Sequence, residues 1–415
     1  MPELPPHSPS FKRLVATQFL TVFNDNAFKQ IVLLLAVAQG TDLLGADPQA
    51  GAGLVFAVPF LLFAVFAGDL ADRYSKRGIV LATKWAEAGV MLLAALALAL
   101  ASTPLGLAAL FLMGAQSAFL GPAKYGMIPE LVPERELSRA NGVFNAWVVG
   151  GILLGIGASG FLVTGLGSEW LWVSGLAFSA VAAVGALVAR GIQPLPAADP
   201  GRVLRLNPTL RLKAGLELAA RIPGLRGCML GRSLFYHVGA VVLFAWNEIG
   251  SSILQVPEDW WTAGLASLTI SLGFGSYLAG RLSRGRPRPG LSVGSAAVMG
   301  AGFLAVALGP RDPWFILGVM LATNFFTGMY LVPLMTLIQQ LPAKADRGRI
   351  QGASQMLDWI FIVAASLAKM FATWLGLDAA QVFLVLGAEL LVAAALLRRL
   401  PLALAAAPPA GGSPG

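Results

Sequence analysis

Apolar residues run along this chain in long blocks, not in the short alternations of a soluble fold. Twelve such stretches, each about 18–29 residues long, lie at 14–39, 51–69, 78–101, 105–128, 139–164, 168–190, 225–250, 260–282, 290–309, 313–335, 347–375 and 379–398. A helix rises ~1.5 Å per residue, so about 20 residues cross a ~30 Å hydrocarbon layer. Most breaks are short and marked by Gly, Pro, Asp or Ser, as in Gly40-Thr41-Asp42 and Gly309-Pro310-Arg311-Asp312-Pro313. The pattern predicts an all-α membrane protein with 12 transmembrane helices. The longest polar interval, 191–224, follows the sixth stretch. It divides the chain into two six-helix bundles, 1–190 and 225–400, and residues 401–415 read as a disordered tail. Within the interval, about Leu210 to Ala220 is expected to form a short amphipathic surface helix.

Basic residues give this map a direction. With both chain ends on one side, the loops of that side carry 23 of the 29 Lys and Arg residues, and the opposite loops carry only Arg311. The positive-inside rule then puts both termini, and the 191–224 linker, in the cytoplasm. The remaining five, Lys29, Lys84, Lys124, Arg232 and Lys369, fall inside stretches. The net charge of +8 is thus explained by topology, and no nucleic-acid partner is expected.

Composition agrees. The chain is 57% hydrophobic and 12% charged, with a mean hydropathy of +0.73, against about 25% charged in soluble domains. One cysteine, Cys228, excludes an internal disulfide, and His7 and His237 cannot build a histidine metal site. No cofactor is expected. Met1–Ser10 is polar and proline-rich and does not read as a cleavable signal.

Charge inside an apolar stretch is the main pointer to function. Asp25 lies roughly 17 Å beyond the opening of the first stretch at Leu14, near the middle of the layer. A charge there costs about 2.5–3.5 kcal/mol on insertion scales and marks a functional site by default. Asn24 and Asn26 flank Asp25, and Lys29 follows at i+4 on the same helix face. Asp25 could bind a substrate amine, carry a proton, or neutralise Lys29 or Lys124. Lys124 follows the helix-distorting Pro122 and could meet a substrate anion. Arg232 lies one to two turns into the seventh stretch and could grip a phosphate with two hydrogen bonds. Lys84 and Glu87, at i,i+3, suggest an intrahelical pair with a structural or gating role. Asp358 and Lys369 share one helix face about three turns apart.

The halves are weakly alike. Asn141-Gly142-Val143-Phe144-Asn145 opens the fifth stretch and Gln351-Gly352-Ala353-Ser354-Gln355 the eleventh, so amide, glycine and amide recur at an offset of 210. Pro122 and Pro333 recur at 211. Duplication of this kind is found in two-bundle transporters, whose substrate site lies near the midplane between the halves. Asn145 is therefore a candidate substrate-site residue.

After the second stretch comes Gly68-Asp69-Leu70-Ala71-Asp72-Arg73-Tyr74-Ser75-Lys76-Arg77. This resembles the cytoplasmic signature of the major facilitator superfamily, Gly-x-x-x-Asp-Arg with further basic residues. The glycine allows close helix approach, and Asp72 can sit against a neighbouring helix N-terminus and latch one conformation. Gly68, Asp72, Arg73 and Arg77, with Lys84 and Glu87, are the candidate gating residues. The corresponding place in the second half, Gly280-Arg281 to Arg288, keeps the charge but lacks the Asp, so the latch is expected to be asymmetric.

A narrower resemblance covers nearly the whole chain and is strongest in the first half. Gln18-Phe19, Asn24-Asp25-Asn26-Ala27-Phe28-Lys29, Lys84-Trp85-Ala86-Glu87, Gly121-Pro122-Ala123-Lys124-Tyr125-Gly126, Pro129-Glu130-Leu131, Arg139-Ala140-Asn141-Gly142 and Leu331-Val332-Pro333-Leu334 are similar to the bacterial lysophospholipid transporter family. The resemblance implies a major facilitator fold in the inner membrane. It further implies flippase-like alternating access that moves lysophosphatidylethanolamine and related lipids to the cytoplasmic leaflet for re-acylation. It implies functional coupling to a lysophospholipid acyltransferase, although no fused enzyme domain is expected here, and a monomer. Asp25, Asn26, Lys29, Lys124, Asn145, Arg232 and Asp358 are then the candidate substrate-binding residues. A proton-coupled exporter of amphipathic compounds, with Asp25 as proton carrier, is the alternative. An enzyme is not expected: neither histidine begins a His-x-x-x-x-Asp pattern, and no serine nucleophile elbow is evident.

Overall fold

The computed structural model describes residues 8–38, 48–204, 207–250, 254, 256–283 and 286–399. The regular structure among them is helical. Twelve long helices form: α1 (Pro9–Ala38), α2 (Pro48–Arg73), α3 (Lys76–Ala99), α4 (Thr103–Leu131), α5 (Leu137–Trp170), α6 (Trp172–Arg190), α8 (Leu225–Glu248), α9 (Glu258–Leu282), α10 (Pro289–Leu308), α11 (Pro313–Gln340), α12 (Arg347–Trp374) and α13 (Ala379–Leu397). A shorter helix, α7 (Pro208–Arg221), lies between α6 and α8. Each predicted stretch coincides with one long helix, with its ends displaced by a few residues. Among the described residues, ten of these helices are long and apolar enough to cross a membrane. The break at 40–42, Arg205, Arg284 and the 401–415 tail lie outside the described residues.

Local chemistry sets several helix ends. Gly167 has φ 63° and ψ 178° and breaks the end of α5, between the fifth and sixth predicted stretches. Only glycine adopts that backbone conformation without strain. Asn207 caps α7, its side chain accepting from the backbone N–H groups of Thr209 and Leu210. The α7 helix occupies the place of the expected amphipathic element, and its buried face is Arg211, Gly215 and Ala219, at i, i+4 and i+8. Helices α2, α4 and α11 continue through Pro59, Pro122 and Pro333.

Buried apolar side chains separate by position in the chain. Two clusters draw on residues between Phe11 and Leu195, and the largest draws on residues between Ala219 and Leu397. Between these groups the helices meet along two main seams, α2 with α12 and α5 with α9.

Glycine makes both seams possible. A Cβ on Gly68 would lie 2.5 Å from the Gly348 carbonyl, and one on Gly352 would lie 2.6 Å from the Ala64 carbonyl. In the other seam, a Cβ on Gly142 would lie 2.6 Å from the Ser276 carbonyl, and one on Gly280 would lie 2.9 Å from the Ser138 carbonyl. Any side chain would push these backbones apart. Gly142 and Gly352 are the glycines of the 210-residue repeat, so the repeat marks the two places where the halves touch most closely. The α2–α12 seam continues into an aromatic wall, with Phe60 stacked on Trp359 at 4.3 Å and Phe56 at 6.0 Å from the same ring.

Gly352→Val is therefore expected to wedge the α2–α12 seam open. The measurement is the rate of thiol labelling at Thr336→Cys, which is buried here, in a Cys228→Ser background. A several-fold faster rate is expected, and an unchanged rate would show that the glycine contact does not hold this end closed.

Candidate functional site

Asp25 lies about 24 Å along α1 from its start and is half-buried. Its carboxylate accepts a hydrogen bond from the Ser117 hydroxyl at 2.7 Å and a longer one from Gln116 Nε2 at 3.4 Å. Gln116 also donates to Ser117 Oγ at 2.8 Å, so three polar groups of α1 and α4 form one chain. The Lys29 ammonium sits 5.7 Å from the Phe56 ring centroid and that of Lys124 sits 5.2 Å from the ring of its neighbour Tyr125. Among the described residues neither lysine forms an ion pair with Asp25. The carboxylate instead has neutral donors, while Lys124 remains within electrostatic range of both Asp25 and Arg232. Asn26 turns its amide back onto its own helix, donating to the Val22 carbonyl at 2.8 Å.

A fully buried polar cluster sets the rotation of α1. Lys84 and Glu87 form the expected i,i+3 pair at 2.7 Å, both with no exposed side-chain area. Lys84 also donates to Thr21 Oγ at 3.0 Å. Asn24 Nδ2 donates to Glu87 at 2.8 Å and to the Phe178 carbonyl at 2.9 Å. Successive helix residues point about 100° apart, so anchoring Asn24 against α3 and α6 turns Asp25 toward α4. Lys84 and Glu87 thus act on the site through α1.

The second half is arranged differently. Arg232 of α8 is buried, and its Nε donates to Asp358 Oδ2 at 3.0 Å. Its Nη2 bonds the same oxygen, and Nη1 reaches Gln351 Oε1 at 3.2 Å. Ser233 completes the set by donating to Asp358 Oδ1 at 2.9 Å. Both candidate residues are therefore engaged with each other. The Arg232 guanidinium lies 5.5 Å from the Tyr125 ring centroid, which brings the first and second halves together next to Lys124. Asn145 donates to Ser276 Oγ at 2.8 Å across the α5–α9 seam. Asn141 and Gln339 exchange reciprocal amide bonds at 2.9 and 3.0 Å, a cross-half contact that the repeat marked without indicating its partner.

Asp72 closes one end. It is fully buried, and it accepts from the backbone N–H groups of Gly348 at 2.7 Å and Arg349 at 2.9 Å. These are among the first residues of α12, whose free N–H groups and dipole favour a carboxylate. Arg202 of the linker sits 3.5 Å from Asp72 and 3.2 Å from Asp346. Two other candidates lie elsewhere. Arg73 donates to the Arg202 carbonyl at 3.2 Å, and Arg77 donates to the Arg190 carbonyl at 2.6 Å, so neither meets α12 directly. Arg202 and Arg211 were counted only as loop charges in the sequence, and Lys76 only as a loop charge and one of the basic residues of the signature. Here Lys76 is buried against Glu130 at 2.8 Å and Arg211 against Asp69 at 2.6 Å. Two carboxylates at the end of α2 require basic partners, but spacing alone does not say which.

Comparison with known proteins follows the same lines. The family model of the Major Facilitator Superfamily matches residues 14–366. The chain is 28% identical over 344 residues to the Lysophospholipid transporter LplT of Klebsiella pneumoniae subsp. pneumoniae, covering 80% of this chain and 81% of that one. It is 27% identical over 336 residues to the protein of the same name from Cronobacter sakazakii, covering 79% of each. Among solved structures, the Escherichia coli fucose:proton symporter FucP superimposes with a TM-score of 0.73 at 15% identity, covering 93% of this chain and 98% of that one. A bacterial homologue of the iron transporter ferroportin gives 0.71 at 16% identity, covering 96% and 100%. At these identities the structural likeness establishes the fold.

Lys84→Ala alone leaves the Glu87 carboxylate buried without its cation and is expected to cost about 3–5 kcal/mol of stability, whereas Lys84→Met with Glu87→Leu should recover most of it. Thermal unfolding of the purified protein in detergent measures both. Equal losses in the single and double variants would show that packing, not the pair, is what the substitutions disturb.

Proposed function

The chain belongs to the Major Facilitator Superfamily, a multi-pass membrane transporter, and from that premise we propose that it moves lysophospholipids and is not an enzyme. The observation that carries this reading is the opposite charge left exchangeable in the first half. Asp25 is held only by neutral donors, and Lys124, half-buried on α4, has no ion-pair partner among the described residues. A lysophosphatidylethanolamine headgroup offers the complement of both, an ammonium for Asp25 and a phosphate for Lys124. The relatives named lysophospholipid transporters support the substrate class.

The finer reading follows. Lys124 is the better phosphate ligand in this conformation, because Arg232 already directs three donors to Asp358 and Gln351. Lys29 extends the positive surface beside Asp25, and Asn26 and Asn145 line the approach. The topology has twelve spans in bundles 1–190 and 225–400, with both termini cytoplasmic. The cross-half bonds at Asp72, Asn141 and Asn145 then close the cytoplasmic side, and the conformation faces outward. Alternating access delivers the lipid to the cytoplasmic leaflet of a bacterial inner membrane, where an acyltransferase re-acylates it. The working unit is the monomer.

Liposomes containing the purified protein should move labelled lysophosphatidylethanolamine between leaflets. Asp25→Asn and Lys124→Ala should each slow this about tenfold, the loss of one charged hydrogen bond of ~1.5 kcal/mol. No movement, with a drug flux driven by a proton gradient in its place, would favour the exporter reading with Asp25 as proton carrier.

A further inference from the structure

Helices α1 and α5 approach closely along only part of their contact. A Cβ on Gly151 would meet the Phe19 carbonyl at 3.0 Å, and one on Gly155 would meet the Phe23 carbonyl at 2.5 Å. Toward the end that carries Asp72, larger side chains stand between the helices. The Phe19 and Trp147 rings meet edge to face at 5.7 Å. Below them a groove of about 470 Å³ opens between the two helices, within the range of small-ligand sites. Val15, Ala16 and Leu20 of α1 and Val143 of α5 give it apolar walls, and Lys12, Glu136 and Arg139 form its polar end.

This groove is not part of the central site. Ala16 and Asp25 are nine residues apart, about two and a half turns, and so lie on opposite sides of α1. Ala16 and Trp147 are exposed, so the groove opens on the outer surface of these spanning helices, where the surrounding medium is lipid. From Lys12 to Leu20 the helix rises about 12 Å, close to the depth of one leaflet's hydrocarbon.

We propose that the groove holds one acyl chain of a resident aminophospholipid from the leaflet at the Asp72 end. Its phosphate lies at Lys12 and Arg139 and its ammonium at Glu136. Both signs of charge are present at the polar end, which matches a zwitterionic headgroup and not a simple anion. Arg139 and Glu136 are 3.5 Å apart and partly exposed, so both can add a headgroup to the contacts they already make at little cost. The phospholipid of the bilayer is present in great excess over any transported species, so mass action favours it as the occupant. The inference stands whichever substrate the Asp25 site takes.

The test uses the full-length protein in vesicles of phosphatidylethanolamine and phosphatidylglycerol, with a trace of phosphatidylethanolamine bearing a diazirine at mid-chain. After illumination, adducts are mapped by mass spectrometry. They should concentrate on the segments 15–20 and 143–147. Ala16→Trp, at an exposed position, should fill the groove and remove most of them. Lys12→Ala should lower the yield about threefold with this probe, the loss of one exposed ionic contact, and leave the yield of a diacylglycerol probe with the same chain unchanged. Adducts no denser here than around the exposed Leu384 and Val385 of α13, or insensitive to Ala16→Trp, would overturn the proposal. Equal effects of Lys12→Ala on both probes would overturn the headgroup assignment.

Discussion

A charge inside hydrocarbon must find its partners within the protein, because the solvent supplies none. That constraint organises these helices. Lys84 and Glu87 are completed by Thr21 and Asn24, Arg232 and Asp358 by Ser233 and Gln351, and Lys76 by Glu130. Each set ties together helices that short loops alone would leave free to slide and rotate. In a bilayer, apolar side chains packed together gain little over apolar side chains in lipid. Polar bonds and close glycine contacts therefore fix which helix faces meet, and the apolar clusters fill the space that these bonds define.

The same constraint produces the closed end. Asp72 finds its donors at the start of α12, in the other half of the chain. The bond depends on the approach of Gly68 to Gly348 and Gly352, since a wider seam would leave both the carboxylate and the helix N-terminus without partners. The linker adds to the closure. Arg202 reaches Asp72, Asp199 and Asp346, and Arg211 of α7 reaches Asp69. Opening this end would expose or unpair several buried charges together. That is the behaviour of a two-position element, not of a gradually deformable one.

Much of the architecture was legible in the sequence because membrane helices are specified by length and apolarity, and both are local. The twelve long helices, the surface helix at α7, the break near Gly167 and the Lys84–Glu87 pair all follow from residues close together in the chain. Asp72 was legible by a different route, the resemblance of Gly68–Arg77 to the cytoplasmic signature of the major facilitator superfamily. What was not legible is pairing over distance. Arg232 and Asp358 are 126 residues apart, and Asn141 and Gln339 are 198 apart. Nothing in either segment names the other. Arg202 and Arg211 illustrate the opposite error. Positive-inside counting treats all loop charges alike, yet these two are buried at the seam.

The two halves satisfy their charges unequally, and that difference bears on how a substrate could be recognised. In the second half, Asp358 already neutralises Arg232 and accepts two of its hydrogen bonds. A ligand binding Arg232 would have to replace those bonds, and replacing one buried ionic bond with another leaves little net gain. In the first half, Asp25 is held by a hydroxyl and an amide, so an incoming cation would displace only neutral donors and would add a close ionic contact to the longer-range attraction of Lys124. Lys124 offers the same opportunity to an anion. Binding at Asp25 and Lys124 can therefore be favourable without any change in the second half. Tyr125 carries the contact between Lys124 and Arg232, so occupation of the first site alters the field at the Arg232–Asp358 pair. The reciprocity of linkage then requires that rearrangement of that pair alter affinity at the first site. On the proposed reading, that is how a headgroup bound in one bundle biases the position of the other.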